Sequence, residues 1–398
     1  MTQDGERAPD SRWGGSPERA DEARLAAPGA VQSGPARRAT SQLAPDVTLD
    51  VPLELAADAA VVGWDIGGVN TKVTRVAGGR VAAARTRPYE VQRDPRALPH
   101  ILRRLATDVG LQPGDAHAVT MTAELSQLFR LKRDGVHYVL DALTDAFAGT
   151  PLRVFAVDGR FLTVDAARRE PVAVAASNWA ATARVVAGEY GDALLVDVGT
   201  TTADLIPILD GRVAAVGRTD PERLASGELV YTGALRTPVE AIVRHVPFGD
   251  GTAGVSAEGF ALVGDAHLWR GALAAADYTV PTPDGRPATR EHAGERLARV
   301  ICADRELLDE RGVDRIAEHV ARAQVAQLVD AGRRVCARHP AIRTAVVAGL
   351  GDFVGAAAAA ELGLAVEHLA SRVGDEGARS APATAVALLL ARAGARRP

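Results

Sequence analysis

The chain writes one unit twice. Residues 65–83 read DIGGVNTKVTRVAGGRVAA and residues 197–215 read DVGTTTADLIPILDGRVAA. One offset of 132 residues relates Asp65 to Asp197 and the first Gly-Arg-Val-Ala-Ala run to the second. An ungapped correspondence over nineteen residues obliges both copies to take the same local structure. In each, a short apolar strand ends in aspartate, a Gly- or Thr-rich turn follows, and two more strands are joined by a glycine turn. The unit is an antiparallel meander. A chain of 398 residues exceeds one ordinary core, so two related domains facing each other are expected.

Composition narrows the function classes. Hydrophobic residues make up 47% and charged residues 24%, the balance of a soluble globular protein. Aromatics are only 4% and the net charge of −4 is spread without long runs of one sign, which argues against nucleic-acid or membrane partners. No stretch is long and apolar enough to span a bilayer. Lys72 and Lys132 are the only lysines in an arginine-rich chain. Cys302 and Cys336 sit in no metal-ligand spacing and are expected to be buried, reduced thiols of a cytoplasmic protein. The nine histidines form no HExxH or His-x-His pair, against a zinc site. Residues 1–60, rich in Ala, Pro, Arg, Gly and Asp and without a secretory apolar core, are expected to be a disordered extension.

Further elements follow from periodicity and turn chemistry. Leu98, Ile101, Leu102, Leu105 and Val109 fall at helical spacing. AVTMTAEL predicts a buried strand running into a polar turn with Thr122 and Glu124, and LRVFAVDG a strand ending at Asp158. Asn178 and Trp179 either line a cleft or mark a helix start with a core Trp, residues 313–338 predict one long helix, and Ser380 with Pro382 the start of an apolar last helix. TAVVAGLGDFVGAAAAAELG predicts strand, glycine turn and helix. Its Gly355 lies four positions after Gly351, which is wrong for a dinucleotide fingerprint.

An Asp-x-Gly-(Gly/Thr) hairpin in each half resembles the acetate and sugar kinase/Hsp70/actin superfamily. The resemblance implies an α/β, two-domain actin-like ATPase fold with duplicated ribonuclease H-like domains. Domain I would span 61–185 plus the last helix, 380–394, and domain II 186–379. In such a cleft, Gly67, Gly68 and Gly199 let backbone N–H groups approach phosphate oxygens, and Thr200, Thr201 and Thr202 add donors. Asp65 and Asp197 would hold Mg²⁺ directly or through water. Asn70, Thr71 and Lys72 would touch the same phosphates, and Gly349 and Gly351 would form the adenosine-type turn.

The runs MTAELSQLF, VDGRFLTVDAARREPVAVAASNWAATARVVA and GRTDPERLASGELVYTGALRTPVEAI resemble a hydantoinase A/oxoprolinase-like family linked to tetrahydromethanopterin-dependent one-carbon transfer. SGELVYTGALRTPV is the specific part. The chain departs from true hydantoinases in its length and its lack of a histidine-rich metal motif, so amide hydrolysis is not carried over. The resemblance implies a transferase of methanofuran-type cofactor biosynthesis. An (aminomethyl)furan-methanol diphosphate would lose pyrophosphate while the phenol of γ-glutamyl tyramine or tyrosine attacks its CH₂ carbon. Glu124 and Asp158 are then candidates for the base that activates the phenol, and Asn178, Arg236 and Arg290 for substrate or phosphate contacts. Small-molecule substrates are the expected partners, and a homodimer is allowed without being specified. Two other classes fit the hairpins: an ATP-dependent small-metabolite kinase or ATPase, and a non-catalytic nucleotide-binding assembly protein.

Overall fold

Each copy of the unit opens a β-sheet, and the two sheets flank a pair of helices. The computed structural model describes residues 46–56 and 59–394. The first sheet holds β1 (Thr48–Leu49), β2 (Val61–Ile66), β3 (Asn70–Ala77), β4 (Arg80–Pro88), β5 (Ala116–Met121), β6 (Leu152–Phe155) and β7 (Arg160–Leu162), ordered 1-7-6-5-2-3-4. Helices α1 (Leu98–Asp108) and α2 (Lys132–Ala146) cover its outer face. Short α3 (Val164–Arg169) and α4 (Pro171–Val174) lead to α5 (Asn178–Glu189).

The second sheet starts with β8 (Ala193–Val198), β9 (Ala203–Leu209) and β10 (Arg212–Val213). After α6 (Asp220–Ser226), β11 (Leu229–Val230) pairs with the free edge of β9. An insertion follows: α7 (Val239–Ile242), the hairpin β12 (His245–Phe248) and β13 (Gly251–Gly254), α8 (Val263–Trp269), α9 (Arg290–Arg299) and α10 (Glu310–Arg338). Then β14 (Thr344–Ala348), α11 (Asp352–Glu361) and β15 (Ala365–His368) complete the sheet, before α12 (Ala370–Arg379) and α13 (Ala381–Gly394).

The repeat is realised atom for atom at its turns. Gly67 N–H donates to Asn70 O at 2.9 Å, and Gly199 N–H to Thr202 O at 2.9 Å. Asp65 pairs across the ladder with Lys72, and Asp197 with Asp204. The third strand of the second copy differs from expectation: RVAAVGR contributes only the two residues of β10. The Glu228 carboxylate accepts from Val216 and Gly217 N–H, both at 2.9 Å, and so draws the chain away from β9.

Period-two alternation sets the layers. Val61, Gly63 and Asp65 share the face of β2 that meets α13, whereas Val62, Trp64 and Ile66 enter the outer core with α1 and α2. Apolar nearly all round, α13 is buried beside α5 between the sheets. It lies so close to β2 that a Cβ on Gly63 would stand 2.0 Å from Ala383 O. Thr384 Oγ1 and Thr74 Oγ1 share a hydrogen bond of 3.0 Å across the same contact.

Structured residues precede the expected Val61. Thr48 N–H donates to Gly159 O at 3.2 Å, Asp46 pairs with Arg184 at 2.8 Å, and Val47 is buried in the inter-sheet core. Residues 1–45 of the expected extension lie outside the described residues. Cys302 is exposed and Cys336 half-buried, rather than both buried. Among the described residues no helix is long and apolar enough to cross a membrane.

Candidate functional site

The strand ends that carry the two aspartates open into one cleft of about 420 Å³. Most of the predicted site residues line it. Asp65, Gly67, Gly68, Asn70 and Lys72 come from the first hairpin, and Asp197, Gly199, Thr200, Thr201 and Thr202 from the second. Glu124, Asn178 and Arg236 join them. The hairpins meet where Asn70 Nδ2 lies 3.5 Å from Thr200 Oγ1.

The first aspartate is balanced by the chain's own lysine. Lys72 Nζ lies 3.6 Å from Asp65 Oδ2, while the buried Asp65 Oδ1 has no hydrogen-bond partner among the described residues. Burial raises the Asp65 pKa against the pull of Lys72. In the second copy the position equivalent to Lys72 is Asp204. Asp197 therefore faces another carboxylate, and its pKa is pushed up to about 7, chiefly by burial and then by Asp204. Arg223 of α6 answers Asp204 with a direct ion pair and stacks on Trp179, its guanidinium carbon 4.4 Å from the ring centroid.

Glu124 is held differently. It is 2% exposed, and neither carboxylate oxygen has a hydrogen-bond partner among the described residues. Desolvation pushes its pKa up to about 7. A carboxyl that titrates near neutrality at the edge of a cleft has the properties of a general base. The position of Gly135 explains its burial: a Cβ there would lie 2.5 Å from the Glu124 Cα, so α2 can close over it.

Five predicted site residues lie elsewhere. Thr71 shares the outer face of β3 with Val73, because alternation that points Asn70 and Lys72 into the cleft turns Thr71 away. Asp158 is exposed in the β6–β7 turn, where Arg160 holds it at 2.8 Å. Arg290 stacks on Trp269 at 3.8 Å and pairs with Glu310 at 2.7 Å, within the inserted helices. Gly349 and Gly351 do not line the cleft. They pack on the end of β8, where a Cβ on Gly349 would stand 2.5 Å from Asp197 Oδ1 and one on Gly351 2.6 Å from Val198 Cγ1.

The structure adds Asp204, Asp220, Arg223, Thr122 and Tyr231 to the lining. Asp204 was within reach of the sequence, because the repeat offset carries Lys72 onto it. Arg223 and Asp220 had no such signal. They are brought in by α6, whose capping box at Thr219 and Glu222 fixes where the helix starts. The donor set suits a cation that takes one or two carboxylates and completes its shell with water and substrate oxygens. Among the described residues no group of three or more His, Cys, Asp and Glu side chains is arranged to hold a metal alone.

The arrangement of two such sheets is the actin-like ATPase fold, as expected. The nucleotide-free structure of an ATP-dependent acetone carboxylase superposes with a TM-score of 0.50 at 14% identity, covering 83% of this chain and 70% of that one. The ethanolamine utilization protein EutJ of Carboxydothermus hydrogenoformans gives a TM-score of 0.42 at 16% identity, covering 87% and 94%. In sequence, the (4-{4-[2-(gamma-L-glutamylamino)ethyl]phenoxymethyl}furan-2-yl)methanamine synthase of Methanocaldococcus jannaschii is 35% identical over 295 residues, 74% of this chain and 87% of that protein. The synthase of the same name from Methanococcus vannielii is 33% identical over 201 residues, 50% and 90%. The hydantoinase/oxoprolinase family matches residues 115–393. By that match and by its relatives, the chain belongs to the hydantoinase/oxoprolinase family.

Proposed function

We propose that the protein is a transferase that forms an aryl ether in the biosynthesis of a methanofuran-type cofactor. The donor is an (aminomethyl)furan-methanol diphosphate, and the acceptor is a phenol carrying a γ-glutamyl amide. The name of the relatives states the product's bonds: a phenoxymethyl link between a furan and a γ-glutamylaminoethyl-substituted ring. The observation that carries the reading is the placement of both repeat hairpins and the unpartnered Glu124 carboxylate on one cleft.

The chemistry balances with these groups. The CH₂–O bond to the diphosphate breaks, and its electron pair leaves with pyrophosphate. The phenol oxygen forms the new bond to the same carbon, and its proton passes to Glu124. Lys72, the hairpin N–H groups and Thr200 to Thr202 donate to the leaving oxygens, where negative charge develops. The furan ring shares positive charge as the bond weakens, so only a modest push from the nucleophile is required. A phenol has an ordinary pKa of about 10, and a base that titrates near 7 is well matched to take its proton at neutral pH. Asp65 and Asp197 would hold Mg²⁺, and the orphaned Asp65 Oδ1 and the crowded Asp197 fit that role. When bound, the ion supplies charge neutralisation for the diphosphate.

The test incubates purified protein and Mg²⁺ with the furan diphosphate and γ-glutamyl tyramine, with ATP alone as a parallel sample. Ether of the expected mass with equimolar pyrophosphate supports the reading. ADP from the ATP sample without ether overturns it in favour of a kinase-like activity.

A further inference from the structure

The run Ser226–Val239, SGELVYTGALRTPV, is wrapped around the second hairpin. Ala234 N–H donates to Gly199 O at 2.8 Å, and the N–H groups of Leu235 and Arg236 donate to Thr200 O at 3.2 and 3.1 Å. Gly233 approaches so closely that a Cβ would stand 2.4 Å from Thr201 N. From beneath, Thr237 Oγ1 accepts from Gly233 N–H at 3.1 Å. Gln324, fully buried in the middle of α10, donates through Nε2 to Thr232 Oγ1 at 2.9 Å and to Gly233 O at 2.8 Å. Its Oε1 accepts from His267 Nε2 at 2.7 Å.

This fixed backbone carries two side chains that the scaffold does not use. Tyr231 is 59% exposed. Arg236 is exposed, and its guanidinium has no ion-pair or hydrogen-bond partner among the described residues. Both line the cleft that Glu124 also lines. A large aromatic left in water and an unpaired guanidinium, both anchored to a rigid turn, give a ring-stacking face and a carboxylate fork that are organised before any ligand arrives.

We propose that Tyr231 and Arg236 form the subsite for the acceptor: the phenol ring packs on Tyr231, and the free α-carboxylate of the γ-glutamyl group is taken by Arg236. The assignment rests on the reaction proposed above, and Gln324 acts in it as a positioning residue. Calorimetric titrations with γ-glutamyl tyramine, tyramine and inorganic pyrophosphate test it without requiring turnover. The wild type is expected to bind γ-glutamyl tyramine at least roughly tenfold more tightly than tyramine, the worth of one charge-assisted carboxylate pair. Arg236→Gln should erase that preference, Tyr231→Ala should weaken both phenols, and neither should alter pyrophosphate binding. Gln324→Leu, which keeps the volume but frees the turn, should weaken the preference with the far-ultraviolet dichroism unchanged. If Arg236→Gln loses pyrophosphate affinity and keeps the preference, Arg236 serves the donor and the subsite is wrong. A wild type that binds neither phenol, or a Tyr231→Ala variant that binds both normally, also overturns it. Absence of ether when both ligands are shown to bind would instead overturn the reaction and leave the subsite standing.

Discussion

Glu124 and Asp197 set what the site can do at a given pH. Each has a folded-state pKa pushed up to about 7, above the unfolded value for a carboxyl. A raised pKa contributes stability that is present below the unfolded pKa and lost as pH rises through the folded one. Catalysis by Glu124 runs the other way, because the base must be ionised, so the rate should climb with pH to a plateau above about 7. Glu124→Gln should lower kcat by about 10² or more. Between pH 4.5 and 8 it should gain on the wild type by about 3 kcal/mol, the equivalent of the Glu124 shift. Denaturant titrations at both ends of that range would show it, and a pH-independent difference would contradict the burial argument. Asp197→Asn removes a carboxylate that faces Asp204. It should hold or raise the melting temperature at pH 8 while cutting turnover by about 10², a split that a merely structural aspartate would not give. At this scale the sequence was partly legible. The repeat pointed to Asp65 and Asp197, and the same offset carries Lys72 onto Asp204, a step the sequence reading did not take. Asp158 was misplaced because a strand-end aspartate carries no mark of which strand it ends. Here β6 lies two strands from β2 and turns straight into β7, where Arg160 captures the carboxylate.

Among the elements, α13 joins the halves through α5, which packs on β8 and β9. Helix α13 packs on β2 and β3 through small residues and supplies Leu388, Leu389 and Leu390 to the inter-sheet core, each worth about 1.5–3 kcal/mol by burial. The approach at Gly63 leaves no room for a methyl group, and the obstructing atom is a backbone oxygen that cannot rotate aside. Gly63→Ala should therefore cost about 3 kcal/mol, the upper range for overpacking, seen as a lower urea midpoint. Gly191→Ala, where a Cβ meets nothing within 4 Å, is the matched control and should be near neutral. Most elements were legible because their periods are strong: α1, α10 and α13 start and stop within a few residues of expectation, α5 starts at the expected Asn178, and α11 follows the expected glycine turn. The second copy's third strand was not, since the competitor for its N–H groups is the side chain of Glu228, well after it in sequence. Arg290 was misassigned for a similar reason, as nothing local says that its helix belongs to an insertion away from the cleft.

Across the whole molecule, an ion pair links an element of the first half to a cleft-lining residue of the second. Lys132 at the start of α2 reaches Asp220 at the start of α6, with Nζ 3.1 Å from the carboxylate. Lys132 also holds down the pKa of Glu124. Lys132→Met should thus move the rising limb of the pH–rate profile to higher pH, whereas an unchanged limb would show that the lysine serves the bridge alone. That second lysine was conspicuous in the sequence, but its partner was not, because the contact spans 88 residues. The same scale gives meaning to the pairing of Lys72 with Asp65 in one wall and of Asp204 with Asp197 in the other. A cleft between two identical subunits must present the same residue from both sides at equivalent positions: two lysines, or two aspartates. A single chain that writes the unit twice is free of that constraint. It has placed a cation in one wall and an anion in the other at the same structural address. The two walls are thereby unlike at one address, with Asp65 met by a lysine and Asp197 by an aspartate that Arg223 answers from α6.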